Sequence, residues 1–144
     1  MTNAPSFVVE AHPAPEDVQF LEDQINTFNV VKTGIRPTDD LLLAIFVREE
    51  NGAIRAGVFG WTWGGCCEIR YLWVDEAWRG QGYGQSLLEA AEREARRRGC
   101  HQVILDTHSF QAPLFYQRNG YEVVGVIDNY PEGYQKYYLK KQLA

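Results

Sequence analysis

Cysteine is scarce in this chain: 144 residues hold only Cys66, Cys67 and Cys100. The number is odd and two are adjacent in an apolar run, which excludes a disulfide framework and predicts a reducing, cytoplasmic setting. His12, His101 and His108 do not stand at metal-ligand spacing with the cysteines, so no metal is expected. No apolar stretch approaches the roughly 18 residues that span a bilayer, so no membrane partner is expected. The N-terminus lacks a charged start followed by an apolar run, which predicts no signal peptide. Positive charge is also short: 14 Lys and Arg against 19 Asp and Glu leave a net charge of −5. That balance argues against nucleic acid or an anionic membrane surface and suits a cationic or neutral substrate. Solubility alone would also account for it. The remainder is ordinary globular composition, 45% hydrophobic and 23% charged, and the length predicts one domain over residues 1–144.

Periodicity and turn chemistry divide the chain. Phe7 to Ala11 reads as a short first strand. Pro15 opens a helical pattern with Val18, Leu21, Ile25 and Phe28 at helical spacing. Val31 to Asp40, with Gly34 and Pro37, reads as a loop or a broken second helix. Leu41 to Glu49 is strand-like. Asn51-Gly52 predicts a type I′ hairpin turn with positive φ at both positions. A returning strand follows over Ile54 to Trp63, then a Gly64-Gly65 turn and a third strand over Cys66 to Val74.

A glycine-rich loop, Gly80 to Gly84, then leads into a helix to about Arg98 with Leu87, Leu88, Ala91 and Ala95 as its apolar stripe. Glu89 with Arg93, Glu92 with Arg96 and Glu94 with Arg98 are predicted i,i+4 pairs. Arg96 to Arg98 suit the helix C-terminus, and Gly99 closes it. Gln102 to Asp106 reads as a buried strand, and Ser109 as the cap of a helix to Arg118. Two last strands cover Tyr121 to Ile127 and Tyr134 to Lys140. The order predicts a mixed α/β sheet with flanking helices.

The stretch carrying chemistry is Leu72-Trp73-Val74-Asp75-Glu76-Ala77-Trp78-Arg79-Gly80-Gln81-Gly82-Tyr83-Gly84: strand, turn, glycine loop, helix start. Helix N-termini leave N–H groups unpaired and carry positive partial charge, and glycines let a phosphate approach the backbone. A pyrophosphate-bearing ligand fits this arrangement; a tight turn that binds nothing is the alternative. Gly84 is followed by Gln85-Ser86, not the Lys-Ser/Thr of a P-loop. The glycine spacing and its late position do not match a dinucleotide fingerprint.

Arg79-x-x-Gly82-x-Gly84 resembles the acyl-CoA signature of the GNAT N-acetyltransferases, Gln/Arg-x-x-Gly-x-Gly/Ala. The segment Ala112-Pro113-Leu114-Phe115-Tyr116-Gln117-Arg118-Asn119-Gly120-Tyr121 resembles that superfamily's second landmark. Glu76 stands where a proline is frequent, and Ser109 where an asparagine is. The resemblance, over about residues 41–140, implies a mostly antiparallel sheet of six to seven strands with splayed parallel central strands. It implies acetyl-CoA as cosubstrate, in a V-shaped gap between the Cys66–Val74 and Gln102–Asp106 strands. Leu72, Trp73 and Val74 would meet the pantetheine arm, and Arg79, Gly80, Gln81, Gly82, Tyr83, Gly84 and Gln85 the pyrophosphate. Ser109, Ala112 and Phe115 would complete the cofactor contacts.

The same resemblance makes Tyr116 the proton donor to the CoA sulfur; a core aromatic is the other reading. Glu68 resembles the catalytic glutamate of histone acetyltransferases in its place ahead of Val74 and Arg79. Strand alternation would put it on the face of Arg70, Leu72 and Val74, as a general base or as a strand-end residue paired with Arg70. Trp61, Trp63, Tyr130 and Tyr134 could line an acceptor site, and His108 could relay protons. The implied function is acetyl transfer to a primary amine of a small molecule or peptide. The implied assembly is a homodimer. A non-catalytic acyl-CoA sensor is the alternative, and would not need Tyr116 or a base.

Overall fold

The computed structural model describes residues 3–37 and 41–144. The chain divides into two compact units, one ending at Arg36 and one beginning at Pro37. The first holds α1, Pro15–Thr33. Pro15 sits in the first turn with Glu16 and Asp17, where their charge suits the helix dipole. Gly34, at φ 72°, ends the helix and donates its N–H to the Val30 carbonyl. The helix runs past Val31, where a loop or break was expected; of that expected segment, residues 38–40 lie outside the described residues. The expected strand at Phe7 to Ala11 does not form. Apolar composition alone does not make a strand, and no described strand offers these residues a ladder.

The second unit contains β1 (Leu42–Arg48), β2 (Ile54–Trp63), β3 (Cys66–Val74), α2 (Tyr83–Arg97), β4 (Gln102–His108), α3 (Pro113–Arg118), β5 (Glu122–Asp128) and β6 (Gln135–Gln142). A short 3-10 turn, Glu76–Trp78, joins β3 to the glycine loop. The strands form one sheet in the order β1-β2-β3-β4-β6-β5. All neighbours are antiparallel except β3 and β4. This is the expected mixed sheet, with six strands among the described residues. No described helix is long and apolar enough to cross a membrane.

Turn chemistry sets the meander. Gly64 and Gly65 both have positive φ, as a two-residue turn needs. At Asn51-Gly52 only the glycine does. The Asn51 side chain instead accepts the Ala53 N–H, and a register shift falls at Val47/Arg48, so this loop is longer than the type I′ turn expected. The core gathers Leu43, Val58, Cys67, Leu88, Val103 and Leu139, all fully buried. From α2, Leu87, Leu88, Ala91 and Ala95 enter it as the spacing predicted.

Of the predicted charge pairs on α2, Glu94 does meet Arg98, at 2.9 Å. Glu92 does not pair along the helix. It is buried, meets Lys141 of β6 at 3.0 Å and accepts the Tyr121 hydroxyl. Glu89 accepts the Gln85 amide. Gly99, at φ 84°, closes α2 as expected.

A bulge interrupts β3. Tyr71 lies opposite Phe59 and Ile69 opposite Gly60, which leaves Arg70 without a partner on β2. Gly60 makes this possible, because a Cβ there would collide with the Glu68 carbonyl. Gly60→Ala should lower stability to urea by about 1–3 kcal/mol, from overpacking against backbone. Gly125→Ala, whose methyl would meet only Tyr138 Cβ at 4.0 Å, should stay within about 0.5 kcal/mol. Equal urea midpoints for the two variants would refute the steric account of Gly60.

Candidate active site

The parallel ladder between β3 and β4 runs from Cys66↔Gln102 to Ile69↔Leu105 and stops. Past it, β4 continues along β6 to His108 while β3 continues along β2 to Val74. The two strands part, and a cleft of about 370 Å³ opens between them. Its walls are Arg70 to Trp73 on one side and Asp106 to His108 on the other, with Gln111, Ala112 and Tyr116 of the α3 region and Tyr130 and Lys136 completing the lining. The predicted gap is therefore present, and β3 turns an edge without ladder partners into it.

The bulge alters which β3 side chains share a face. Leu72 and Val74 lie opposite Val58 and Ala56, on the side packed by α2. Glu68 lies opposite Trp61 and takes the other side with Tyr71. Simple alternation put Glu68 with Leu72 and Val74. The extra residue, Arg70, shifts the phase and separates them.

A second cavity, of about 270 Å³, lies at the start of α2 and is lined by Val74, Trp78, Arg79, Gly80, Gly82, Tyr83, Gly84, Gln85 and Phe115. Gly80 and Gly82 hold φ 76° and 84°, conformations other residues adopt only with strain. Gly82 is the N-cap and supplies no side-chain acceptor, so the first amides of α2 are left for a ligand. At Gly84 a Cβ would press on the Phe115 ring at 3.4 Å. This cradle fits a pyrophosphate. Arg79 stands beside it, its Nε donating to the Val74 carbonyl at 3.0 Å. Gln81 belongs to the loop but does not line the cavity.

The residues of α3 face both spaces. Phe115 lines the glycine-loop cavity, Tyr116 lines the cleft, and their rings meet edge to face at 5.2 Å. Tyr116 is 7% exposed. Burial, with a smaller contribution from the Asp106 charge, pushes its phenol up to about 12. Such a group keeps its proton at neutral pH and can donate it. Ser109 does not cap α3. Its Oγ accepts the Gln135 N–H at 3.1 Å and ties the loop to β6. Thr107 Oγ1 and Gln111 Oε1 hold the turn into α3, accepting from Ala112 N and His108 N.

Sequence reasoning missed the charged end of the cleft. Asp106 lies between Arg70, at 3.9 Å, and Lys136, at 3.5 Å. No motif flags these three; only the β4–β6 register and the bulge bring them together. His108 is placed there too, its Nδ1 3.0 Å from the Tyr130 carbonyl and its ring stacked between Phe110 and Tyr130. Among the described residues no cluster suited to a metal occurs.

Gly84→Val places a branched side chain against Phe115 in the cradle. Calorimetry should show CoA binding weakened by about 2 kcal/mol, roughly 30-fold, in a protein that still folds. Unchanged affinity would remove the loop from the binding site.

Comparison with known proteins agrees with this geometry. The acetyltransferase (GNAT) domain family matches residues 42–123. An acetyltransferase of Agrobacterium fabrum is 31% identical over 95% of this chain and 98% of its own length. Blasticidin-S acetyltransferase of Streptomyces morookaense is 38% identical over 69% of this chain and 74% of its own. The crystal structure of an acetyltransferase from Bacillus cereus superimposes with a TM-score of 0.78 at 31% identity, covering 95% of this chain and 98% of that one. With the glycine cradle, the split strands and these relatives together, the chain belongs to the GNAT acetyltransferases, enzymes that draw the acetyl group from acetyl-CoA.

Proposed function

We propose that this enzyme acetylates a primary amine of a small molecule or peptide by direct attack within a ternary complex, with residues 1–144 as one functional domain in a cytoplasmic setting. The observation carrying this reading is a buried Tyr116 that lines a split-strand cleft next to a glycine loop at a helix start, with burial raising its phenol. A small-molecule acceptor is favoured because one relative is named for blasticidin S. Acetyl-CoA supplies an activated acetyl thioester.

The chain's own groups supply the rest. First-turn amides of α2 and the Arg79 guanidinium bind the pyrophosphate, and the unladdered edge of β3 from Arg70 to Val74 binds the amide-bearing arm. A backbone N–H near Val74 stabilises charge developing on the carbonyl oxygen. Tyr116 holds a proton at its hydroxyl for the departing sulfur. Glu68, at the bulge but on the other face, takes the proton of the attacking amine through a water rather than by direct contact.

Tyr116→Phe should lower kcat about 100-fold with CoA affinity kept. Because the phenol is raised to about 12, the donor stays loaded as pH rises. In the wild type no loss of kcat from its ionisation should appear below about pH 10. A Phe variant with wild-type kcat returns Tyr116 to a packing role.

Glu68→Gln should lower kcat/KM about 100-fold near neutral pH, and the deficit should shrink at high pH as the free amine deprotonates unaided. A deficit of equal size across the pH–rate profile would assign Glu68 to acceptor binding instead.

A further inference from the structure

The end of the cleft where β3 and β4 part carries alternating charge. Lys136 Nζ stands 3.5 Å from Asp106 Oδ1, and Arg70 Nη1 stands 3.9 Å from Asp106 Oδ2. Glu68 interacts electrostatically with Arg70 from the other side of the bulge. Along the cleft wall Asp106 stands between the two cations, and all three line the cleft itself. Both cavity-lining cations share one carboxylate, so the cleft wall carries an excess positive charge although the chain as a whole carries −5. A simple ammonium meets a cation beside each carboxylate. An anionic group meets the better complement.

The two cations are not equivalent. The Lys136 side chain is 16% exposed and lies over the Tyr130 and Tyr138 rings at 5.0 and 5.4 Å, so packing fixes it. The Arg70 side chain is 47% exposed; it lies over the Tyr71 ring at 5.7 Å, its strongest partner, and holds Asp106 only at the outer limit of an ion pair. Arg70 is also the residue without a β2 partner, set at the point where β3 and β4 part. A guanidinium is a planar fork whose donors match the two oxygens of a carboxylate. One such fork, half exposed, stacked on Tyr71 and only loosely paired with Asp106 where the strands part, is suited to take a ligand carboxylate.

We propose that the acceptor is a zwitterion of amino-acid type, an amine that also bears a carboxylate, and that Arg70, backed by Lys136, selects it by binding that carboxylate. This rests on the amine-acetylation reading above and narrows it to a substrate class. The amine is then the group left to face Tyr116 and the thioester.

The test uses matched amines, each as the free acid and as its neutral methyl amide. Acetyl transfer should favour the acid by about 10- to 100-fold in kcat/KM, the range of a charge-assisted contact. The difference should lie in the acceptor KM, with the KM for acetyl-CoA unchanged. Arg70→Gln should bring the acid to within about 3-fold of its amide, and Arg70→Lys should restore part of the gap. Calorimetric binding of each pair to the protein–CoA complex should show the same discrimination without depending on turnover. Equal affinity for acid and amide in the wild type, or a preference that survives in Arg70→Gln, overturns the proposal. The two readings fail separately. If acids bind preferentially and nothing is acetylated, the transfer reading fails. If amides are acetylated as fast as acids, the carboxylate site fails.

Discussion

Four ladder pairs, Cys66↔Gln102 through Ile69↔Leu105, hold β3 and β4 together, and everything at the site follows from their ending there. Backbone N–H and C=O groups inside a fold must be paired. Beyond Leu105, β4 finds its partners on β6, while β3 keeps only β2. The other edge of β3 from Arg70 onward is a sheet edge inside the domain. Such an edge is tolerable where it faces a cleft that an amide-bearing ligand can enter as a substitute strand. Gly60 is the less visible part of the same device. Without a Cβ it lets the Glu68 carbonyl come close, and the bulge places Arg70 at the parting point.

Local fields differ from the overall charge. A chain of net −5 builds one cavity at a helix N-terminus beside Arg79 and another flanked by Arg70 and Lys136. Close charges in a partly desolvated cleft interact far more strongly than charges spread over a solvated surface. The acidic surplus therefore says little about what the site prefers. Reading a cationic substrate from composition treats the protein as a point, and the cleft does not see it as one.

Much of the fold was legible because local chemistry fixes it. The Gly64-Gly65 turn sets both ends of the β2–β3 hairpin, and the Leu87, Leu88, Ala91, Ala95 stripe sets the buried face of α2. The glycine loop was legible because positive φ at Gly80 and Gly82 leaves few residues to choose from. What failed depended on partners distant in sequence. Phe7 to Ala11 has strand composition but no ladder. Glu92 has a helical partner in Arg96 by spacing, yet the sheet brings Lys141 to it. Ser109 has the chemistry of a cap, yet β6 takes its hydroxyl. Glu68 went to the wrong face because a bulge leaves no mark in the alternation of side chains, and Arg70, Asp106 and Lys136 meet only through register.

The buried charge at Glu92 links elements that line the two cavities. Glu92 belongs to α2, the helix whose first turn lines the glycine-loop cavity. Its carboxylate accepts the Tyr121 hydroxyl at 2.9 Å and the Lys141 ammonium at 3.0 Å. Tyr121 packs edge to face on Tyr116 at 5.8 Å, and its N–H donates to the Tyr116 carbonyl. Burial and the nearby Glu92 charge hold the Tyr121 phenol neutral, so its hydroxyl remains a donor to that carboxylate. A chain of short contacts thus runs from the cradle helix through Glu92 and Tyr121 to the backbone of Tyr116. A buried ion pair contributes little net stability on average, because desolvation offsets its attraction. It does specify geometry when every polar atom has a partner. The pair at Glu92 ties α2, whose start lines the glycine-loop cavity, to the backbone of Tyr116, which lines the cleft, so one buried network spaces the two cavities.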